Sequence, residues 1–293
     1  MIRIYRCLFI CAFLFCFLSN VKAQDSTKNT EPGKSHFELG LSYLSNSVYQ
    51  GRQDSLKVAY LTPALSYYSK SGLYASSSLS YLNSGGISRI DLFDIDFGYQ
   101  FTVNKLSADF YAEKDFYNSQ SKNVKSETKG SLNGTLSYDF GFIQPVLQGG
   151  IEFNGTNDYY GAFGLAHSFF FADDKLEIKP SLMVNASTQN YYSSYYSKRK
   201  FVARKKQTGN GTTINAYLQN ASEFKIMDYE LTIPVDYSVG KFIFDFTPTM
   251  AIPVNPNVVV TTITPPLGMP VTRTKTEQLN NAFFWSVGVT YSF

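Results

Sequence analysis

The chain has 293 residues, and 16% of them are aromatic, with 22 Tyr and 25 Phe against one Trp. Bases number 26 and acids 23, but three bases lie in the first 23 residues, so the remainder carries no net charge. A balanced chain gives no global indication of nucleic-acid binding, and we expect no nucleic acid among its partners.

Residues 1–23 have the pattern of a secretory signal peptide. Two arginines precede an apolar run that ends at Leu18, and Val21-Lys22-Ala23 supplies the small-x-small site that signal peptidase recognises. The apolar run is too short and wrongly flanked for a transmembrane helix. The segment is therefore predicted to direct export and then to be removed.

All three cysteines, Cys7, Cys11 and Cys16, lie within this signal. The exported chain is therefore predicted to lack disulfides and thiolate metal ligands. It also contains no phosphate-binding loop, dinucleotide fingerprint or EF-hand spacing. We predict no cofactor and no metal.

From residue 36 onward, apolar residues alternate with small or polar residues, which is the period of a β-strand with two different faces. In 90–103, for example, three phenylalanines share one face, whereas Asp94 and Asp96 lie on the other. The pattern occurs in twelve segments: 36–44, 57–69, 72–82, 90–103, 106–116, 130–140, 142–154, 158–172, 175–187, 226–239, 241–254 and 281–293.

Short turns alternate along the chain with connections that are mostly longer. The short turns lie near Ser71, Asn104, Gly141, Asp173 and Gly240. The opposite connections are 45–56, 83–89, 117–129, 155–157, 188–225 and 255–280, of which only 155–157 is short. An even number of strands of about ten residues, with short turns at one end and long loops at the other, is typical of an outer-membrane barrel.

The composition of the two faces favours a membrane barrel over a soluble β-sandwich. The polar face is rich in Ser, Gly, Thr and carboxylates, which suits a hydrated interior, and Tyr and Phe stand at many strand ends like interfacial girdles. We predict an all-β fold, a transmembrane antiparallel up-and-down β-barrel of twelve strands. Ten or fourteen strands are the alternatives, because a strand can hide in 188–225 or 255–280.

This fold divides the chain into a signal peptide (1–23), a short periplasmic N-terminal segment (24–35) and a single outer-membrane β-barrel (36–293). Both termini are predicted to be periplasmic, in a Gram-negative cell. In 251–274, Val, Thr and Ile suit a hairpin above the membrane, but five prolines favour a loop over a central strand.

If the apolar faces point to lipid, carboxylates line the lumen. The candidate lumen acids are Asp94, Asp96, Asp109, Glu113, Asp115, Glu152, Asp228 and Glu230. All except Asp109 fall in the half nearer the long loops. By contrast, the loop 188–225 holds six bases in nine residues: Lys198, Arg199, Lys200, Arg204, Lys205 and Lys206.

Three interpretations of these charges stay open. Acid rings in a narrow lumen attract cations and repel anions, as in cation-selective pores. Alternatively, the basic outer loop folds inward and plugs the barrel. In the third interpretation the wall is simply wet, and the loop is solvated beside lipopolysaccharide phosphates.

The function that we predict is a small passive, porin-like channel for ions or small polar solutes. The alternative is a non-conducting surface barrel whose extracellular loops bind a partner. A barrel hydrolase is less favoured, because the exported chain has only His36 and His167 and no His-x-Ser arrangement for a serine–histidine mechanism. We therefore predict that the protein is not an enzyme.

The final strand resembles the C-terminal signal by which outer-membrane barrels are recognised for insertion. Its apolar face carries Trp285, Val287, Val289, Tyr291 and Phe293. The resemblance implies the barrel-assembly machinery and periplasmic chaperones as partners during biogenesis. Outer-membrane lipid and lipopolysaccharide are the expected surroundings afterwards.

Residues 45–82 resemble the N-terminal part of the TorF-like putative porins. In that family a strand, a loop with an aromatic residue and an Arg-Gly, a second strand and a Ser-Gly turn follow in order. Here the loop reads Tyr49-Gln50-Gly51-Arg52, so the basic residue follows the glycine. The resemblance covers under a sixth of the chain and implies a porin-like function.

Overall fold

The computed structural model describes residues 34–54, 56–197 and 212–293, so the predicted signal peptide lies outside the described residues. Within these ranges, no helix has the length and apolar character of a membrane span. The helix α1 comprises Asn190–Tyr195. The strands are β1 (His36–Leu44), β2 (Tyr60–Tyr68), β3 (Leu73–Ser84), β4 (Ile87–Val103), β5 (Leu106–Tyr117), β6 (Gly130–Tyr138), β7 (Gln144–Phe153), β8 (Asp158–Ala166), β9 (Phe169–Phe171), β10 (Leu176–Ile178), β11 (Ser181–Ser187), β12 (Thr213–Leu218), β13 (Lys225–Thr232), β14 (Val235–Val239), β15 (Phe242–Pro253), β16 (Val258–Thr264), β17 (Val271–Thr276) and β18 (Ala282–Ser292).

Fifteen of these strands form one antiparallel sheet that closes on itself. The first strand β1 pairs with both β2 and the last strand β18, and β13 pairs with β15 to complete the ring. Three wall strands consist of two consecutive segments each: β8 with β9, β10 with β11, and β13 with β14. The wall therefore has twelve strands, which confirms the predicted fold class.

Prolines cause two of the three interruptions in the wall. Pro180 separates β10 from β11 and Pro234 separates β13 from β14, because proline has no N–H to donate to the ladder. The neighbouring strands stay connected through the proline carbonyls. Lys179 N donates to Pro234 O at 2.9 Å, and His167 N donates to Pro180 O at 3.2 Å.

Alternate side chains of the wall form an apolar belt on the outside of the barrel. Leu41, Phe97, Phe163 and Phe244 are representative members, and each is exposed. Side chains one position away in each strand face the enclosed interior. Large apolar side chains outside and polar ones inside are the arrangement of a wall surrounded by lipid.

The two ends of the barrel differ, as the sequence predicts, with one exception. Short turns join the strands at one end, the turn end, and longer connections lie at the other, the loop end. The connection over 83–89 was predicted to be among the longer ones, and this is wrong. Gly85 and Gly86 adopt positive φ angles of 60° and 75°, so a two-residue turn directly joins β3 to β4.

A second, three-stranded sheet stands at the loop end, outside the wall. β16 pairs with β12 on one side and with β17 on the other. The segment 255–280 therefore does form a hairpin, and its prolines lie mainly at the tip between β16 and β17. None of these three strands adds to the twelve of the wall.

The two faces of β18 give a direct test of this arrangement. Val287 lies midway along the strand on the outer face and is 42% exposed, whereas the adjacent Ser286 faces the interior. We expect Val287→Arg to lower the free energy of unfolding by about 2–4 kcal/mol in lipid, because the charge enters the bilayer core. Urea unfolding of the refolded barrel measures this, with Ser286→Arg as the matched control. Equal losses for both variants would contradict the assignment of faces.

Candidate functional site

Four carboxylates meet on the inner face of two adjacent wall strands. The register of β4 and β5 places Asp94 directly opposite Asp115 and Asp96 directly opposite Glu113. Because residues two apart in a strand share a face, all four side chains lie on one side of the sheet. These four residues are called the acid patch below.

The acid patch receives hydrogen bonds from hydroxyl groups of neighbouring strands. Ser78 Oγ donates to Asp94 Oδ1 at 2.7 Å, and Ser131 Oγ donates to Glu113 Oε2 at 3.1 Å. Asp115 is 5% exposed, and among the described residues its carboxylate oxygens have no hydrogen-bond partner other than the neighbouring Glu113 carboxyl group. The patch is therefore partly bonded but not neutralised by these contacts.

The remaining candidate acids lie elsewhere on the inner wall, some nearer the turn end and some nearer the loop end. Asp109 accepts a hydrogen bond of 3.1 Å from Tyr74 Oη and lines a vestibule of about 480 Å³ at the turn end. Asp228 accepts from Asn185 Nδ2 at 2.9 Å. Glu152 and Glu230 lie nearer the loop end and line a second cavity.

A tight turn from the connection after β1 crosses the barrel at the loop end. Tyr49 and Arg52 exchange two backbone hydrogen bonds of 2.9 Å around Gln50 and Gly51, both of which have positive φ. Glycine accepts this backbone without strain. These four residues are called the crossing turn.

The crossing turn contacts the far side of the wall. Tyr49 Oη donates to Glu152 Oε1 of β7 at 2.8 Å, and Ser187 of β11 donates to the Gln50 side chain. β7 is six strands away from β1 in either direction around the ring. The turn therefore spans the interior rather than standing above it.

Arg52 anchors the crossing turn through backbone carbonyl groups. Its guanidinium donates to Met227 O at 2.8 Å and to Val254 O and Asn255 O at 3.1 Å each. The residue is 2% exposed, and its Nε lies 3.8 Å from Glu277 Oε2. Several charge-assisted bonds on one planar group fix both position and orientation.

A second base, Lys125, joins the crossing turn to the wall. Its Nζ is 3.3 Å from Glu152 Oε1 and 4.8 Å from the centre of the Tyr49 ring. Burial is the largest single effect and lowers the pKa of Lys125, but the Glu152 carboxylate, together with Tyr49, Tyr117 and Glu113, outweighs burial and holds the pKa well above its usual value. Burial and the same carboxylate raise the pKa of Tyr49. At neutral pH the ammonium is charged and the phenol keeps its proton.

An apolar cluster packs above the crossing turn. The buried side chains in it are Val124, Tyr191, Tyr192, Tyr195, Ala216, Leu218 and Val259. Tyr49 packs edge-on against Tyr191, with the ring centres 5.3 Å apart. The cluster therefore connects the turn to α1, β12 and β16.

Asp158 positions the helix that supplies three of these tyrosines. Its Oδ1 accepts from Asn190 N at 2.7 Å and its Oδ2 from Tyr191 N at 2.6 Å. The N–H groups at the start of a helix have no partner within the helix, and a carboxylate satisfies them. α1 is thereby fixed over the lumen.

A chamber of about 350 Å³ lies below the crossing turn. Its lining combines carboxylates, phenol rings and amides. The lining includes Glu113, Lys125, Glu152, Glu230, Tyr111 and Tyr160. Tyr160 Oη donates to Asn133 Oδ1 at 2.7 Å, so this ring is held against the wall.

The bases predicted from the sequence to act on the lumen differ from the bases that the structure places beside it. The six bases Lys198, Arg199, Lys200, Arg204, Lys205 and Lys206 lie outside the described residues, so the hypothesis that they plug the barrel stays a prediction. Arg52 and Lys125 were not selected, because each is an isolated base in a loop. The residues Tyr49-Gln50-Gly51-Arg52 were noted only for a family resemblance.

The two histidines lie away from the chamber. His36 Nε2 is 3.3 Å from Glu38 Oε1, on the first wall strand. The His167 ring packs edge-on against the Phe169 ring, with centres 4.5 Å apart, in the gap between β8 and β9. Among the described residues, neither imidazole is hydrogen-bonded to a serine hydroxyl.

The comparisons with known proteins concern the fold alone. No protein-family model and no curated protein matches the chain, so the resemblance to TorF-like putative porins stays a prediction. The KdgM porin is 10% identical, with a TM-score of 0.44, over 89% of this chain and 99% of that one. The NanC porin is 9% identical, with a TM-score of 0.43, over 87% and 98%. BamA from Haemophilus ducreyi is 10% identical, with a TM-score of 0.33, over 91% and 74%.

The closed wall, its outer apolar belt and its polar interior define the class of protein. The chain is a porin-like β-barrel of the outer membrane, with twelve antiparallel strands and a channel-like interior. Its loop end is crossed by a turn of its own chain.

The seating of the crossing turn depends on the absence of a side chain at Gly51. A Cβ there would lie 2.6 Å from Pro253 Cβ, and φ is +69°. We expect Gly51→Val to unseat the turn and raise amide hydrogen exchange throughout 45–54. Mass spectrometry measures this, with Gly155→Val as the control, because a Cβ at Gly155 meets nothing within 4 Å. Unchanged exchange in Gly51→Val would contradict the seating.

Proposed function

We propose that this outer-membrane barrel is a small passive channel for ions and small polar solutes, with a preference for cations. The turn end faces the periplasm and holds both termini, and the loop end faces outward. The protein acts as a conduit rather than as an enzyme. The observation that carries this proposal is the acid patch on the inner wall of a closed barrel.

The charge distribution of the interior supports the cation preference. Glu113 of the acid patch lines the chamber together with Glu152 and Glu230, and the other three carboxylates of the patch share its face of the wall. The two bases nearest to them, Arg52 and Lys125, are held by carbonyl groups and by Glu152. Low-dielectric walls focus the remaining negative potential, which raises the local concentration of cations.

The position of the crossing turn indicates that the channel entrance at the loop end is narrow. It spans the interior from β1 to β7, and the apolar cluster around Tyr191 lies above it. A solute that enters from the loop end has to pass beside this turn or displace it. Because Arg52 and Gly51 seat the turn, we infer that its position controls the size of solute that crosses.

The orientation and the assembly of the barrel follow from its ends. Short turns are favoured at the periplasmic end of outer-membrane barrels and long loops at the outer end. The outward face of β18, with Trp285, Val287, Val289, Tyr291 and Phe293, is proposed as the signal for the barrel-assembly machinery and the periplasmic chaperones that deliver the chain. Outer-membrane lipid and lipopolysaccharide then surround the belt and the outer loops.

Charge selectivity is measured from the reversal potential of the refolded protein in a planar bilayer under a salt gradient. We expect cation preference, and a clear shift towards zero in the triple variant Asp94→Asn, Asp96→Asn, Glu113→Gln, because the acid patch is largely neutralised. The matched control is Asp173→Asn, Asp174→Asn, Glu223→Gln, which removes three acids of connecting segments. Anion preference, or equal shifts in both triple variants, would refute the proposal.

A further inference from the structure

We propose that the acid patch and the chamber beneath the crossing turn form a binding site for small aliphatic amines that carry two or more positive charges. The inference rests on the proposed function, since it names the class of solute for which the lumen is built. Four features of the interior carry it.

The first feature is the direct opposition of like charges. Asp94 faces Asp115 and Asp96 faces Glu113 across adjacent strands. Carboxylates at directly opposed positions repel each other and destabilise the sheet. The hydroxyl groups of Ser78 and Ser131 bond to the patch but supply no positive charge. A positively charged ligand relieves this repulsion.

The second feature is the buried carboxyl group of Asp115, which in the described part of the chain has no partner outside the patch. The residue is 5% exposed, and among the described residues its oxygens have no hydrogen-bond partner other than the neighbouring Glu113 carboxyl group. It stands on the same face as Asp94 and two residues from Glu113, so the unused acceptors lie within the patch. A buried carboxylate without a partner is costly unless a donor or a cation approaches it.

The third feature is that the nearby lysines are engaged elsewhere. Lys125 pairs with Glu152 at 3.3 Å. Lys114 donates to Lys129 O at 2.8 Å and lies 5.4 Å from the centre of the Phe116 ring, on the outer face. Among the described residues, no base forms an ion pair with the acid patch, and Lys125 acts on its carboxylates only at longer range.

The fourth feature is the lining of the adjoining chamber, which Glu113 shares with the patch. Glu152 and Glu230 add carboxylates from other wall strands, and the rings of Tyr111 and Tyr160 stand beside them. Carboxylates with aromatic faces are the surroundings that ammonium groups prefer. A volume of about 350 Å³ admits a short chain of methylene groups.

The arrangement of the acids favours a flexible cation over a metal ion. In the described ranges, no group of three or more His, Cys, Asp or Glu has an arrangement that can hold a metal. A diamine can place one ammonium group at the acid patch and the second near Glu230, since Glu152 is already paired with Lys125. The alkyl segment between them then packs along the tyrosine rings.

Calorimetric titration of 1,4-diaminobutane into the refolded exported chain in detergent tests the site. We expect saturable binding that is about tenfold weaker or worse in the double variant Glu113→Gln, Asp115→Asn, because two of the facing charges are lost. The matched control is Asp236→Asn, Asp245→Asn, a second pair of directly opposed acids in the same barrel. It should change the affinity by less than about twofold, since it lies outside the patch. The mobility shift of unheated barrels on gels verifies that each variant is folded.

Three results would overturn the inference: no binding at millimolar diamine, equal weakening in both double variants, or binding of 1-butylamine as tight as that of the diamine. Displacement of the diamine by an equal concentration of calcium would also overturn it in favour of a metal site. The titration measures diamine binding directly and does not depend on ion conduction through the barrel. Diamine binding without conductance therefore supports the site while refuting the channel, and cation-selective conductance without diamine binding does the reverse.

Discussion

The structure depends on one constraint, that every backbone N–H and C=O group inside lipid must find its partner within the protein. The chain meets it by pairing its first wall strand with its last, as Leu41 opposite Val289 illustrates. Closure then dictates the two faces of the wall, with an apolar belt outside and polar side chains inside. It also creates an interior that the wall side chains do not fill by themselves, into which the crossing turn extends.

Charge is arranged differently in the two parts of this interior. Around the crossing turn, bases and acids are matched: Arg52 is held by carbonyl groups near Glu277, and Lys125 by Glu152. On β4 and β5 the carboxylates face one another, and among the described residues they accept hydrogen bonds from the hydroxyl groups of Ser78 and Ser131. The matched part connects the loops at the loop end, whereas the unmatched part is where we propose that a solute binds.

The wall was predictable from the sequence, and the loop end largely was not. A strand in a membrane wall has a local pattern, so alternation such as that of 90–103 reveals both its existence and its faces. The Gly85-Gly86 turn also has a local signature, and it was missed by counting the polar residues around it as a loop. The role of Arg52 has no such signature, because its partners Met227 and Val254 lie far away in the chain. The prediction therefore assigned the lumen bases to the run of six in 198–206 and not to the single buried Arg52.

The central claim is that the crossing turn controls the path through the barrel, and the conductance of a barrel whose turn is unseated tests it most directly. A Cβ at Gly51 would lie 2.6 Å from Pro253 Cβ, whereas a Cβ at Gly155 would meet nothing within 4 Å. In a planar bilayer, the account predicts a clearly higher single-channel conductance for Gly51→Val than for the unchanged protein or for the control Gly155→Val. Equal conductance in all three proteins would contradict it.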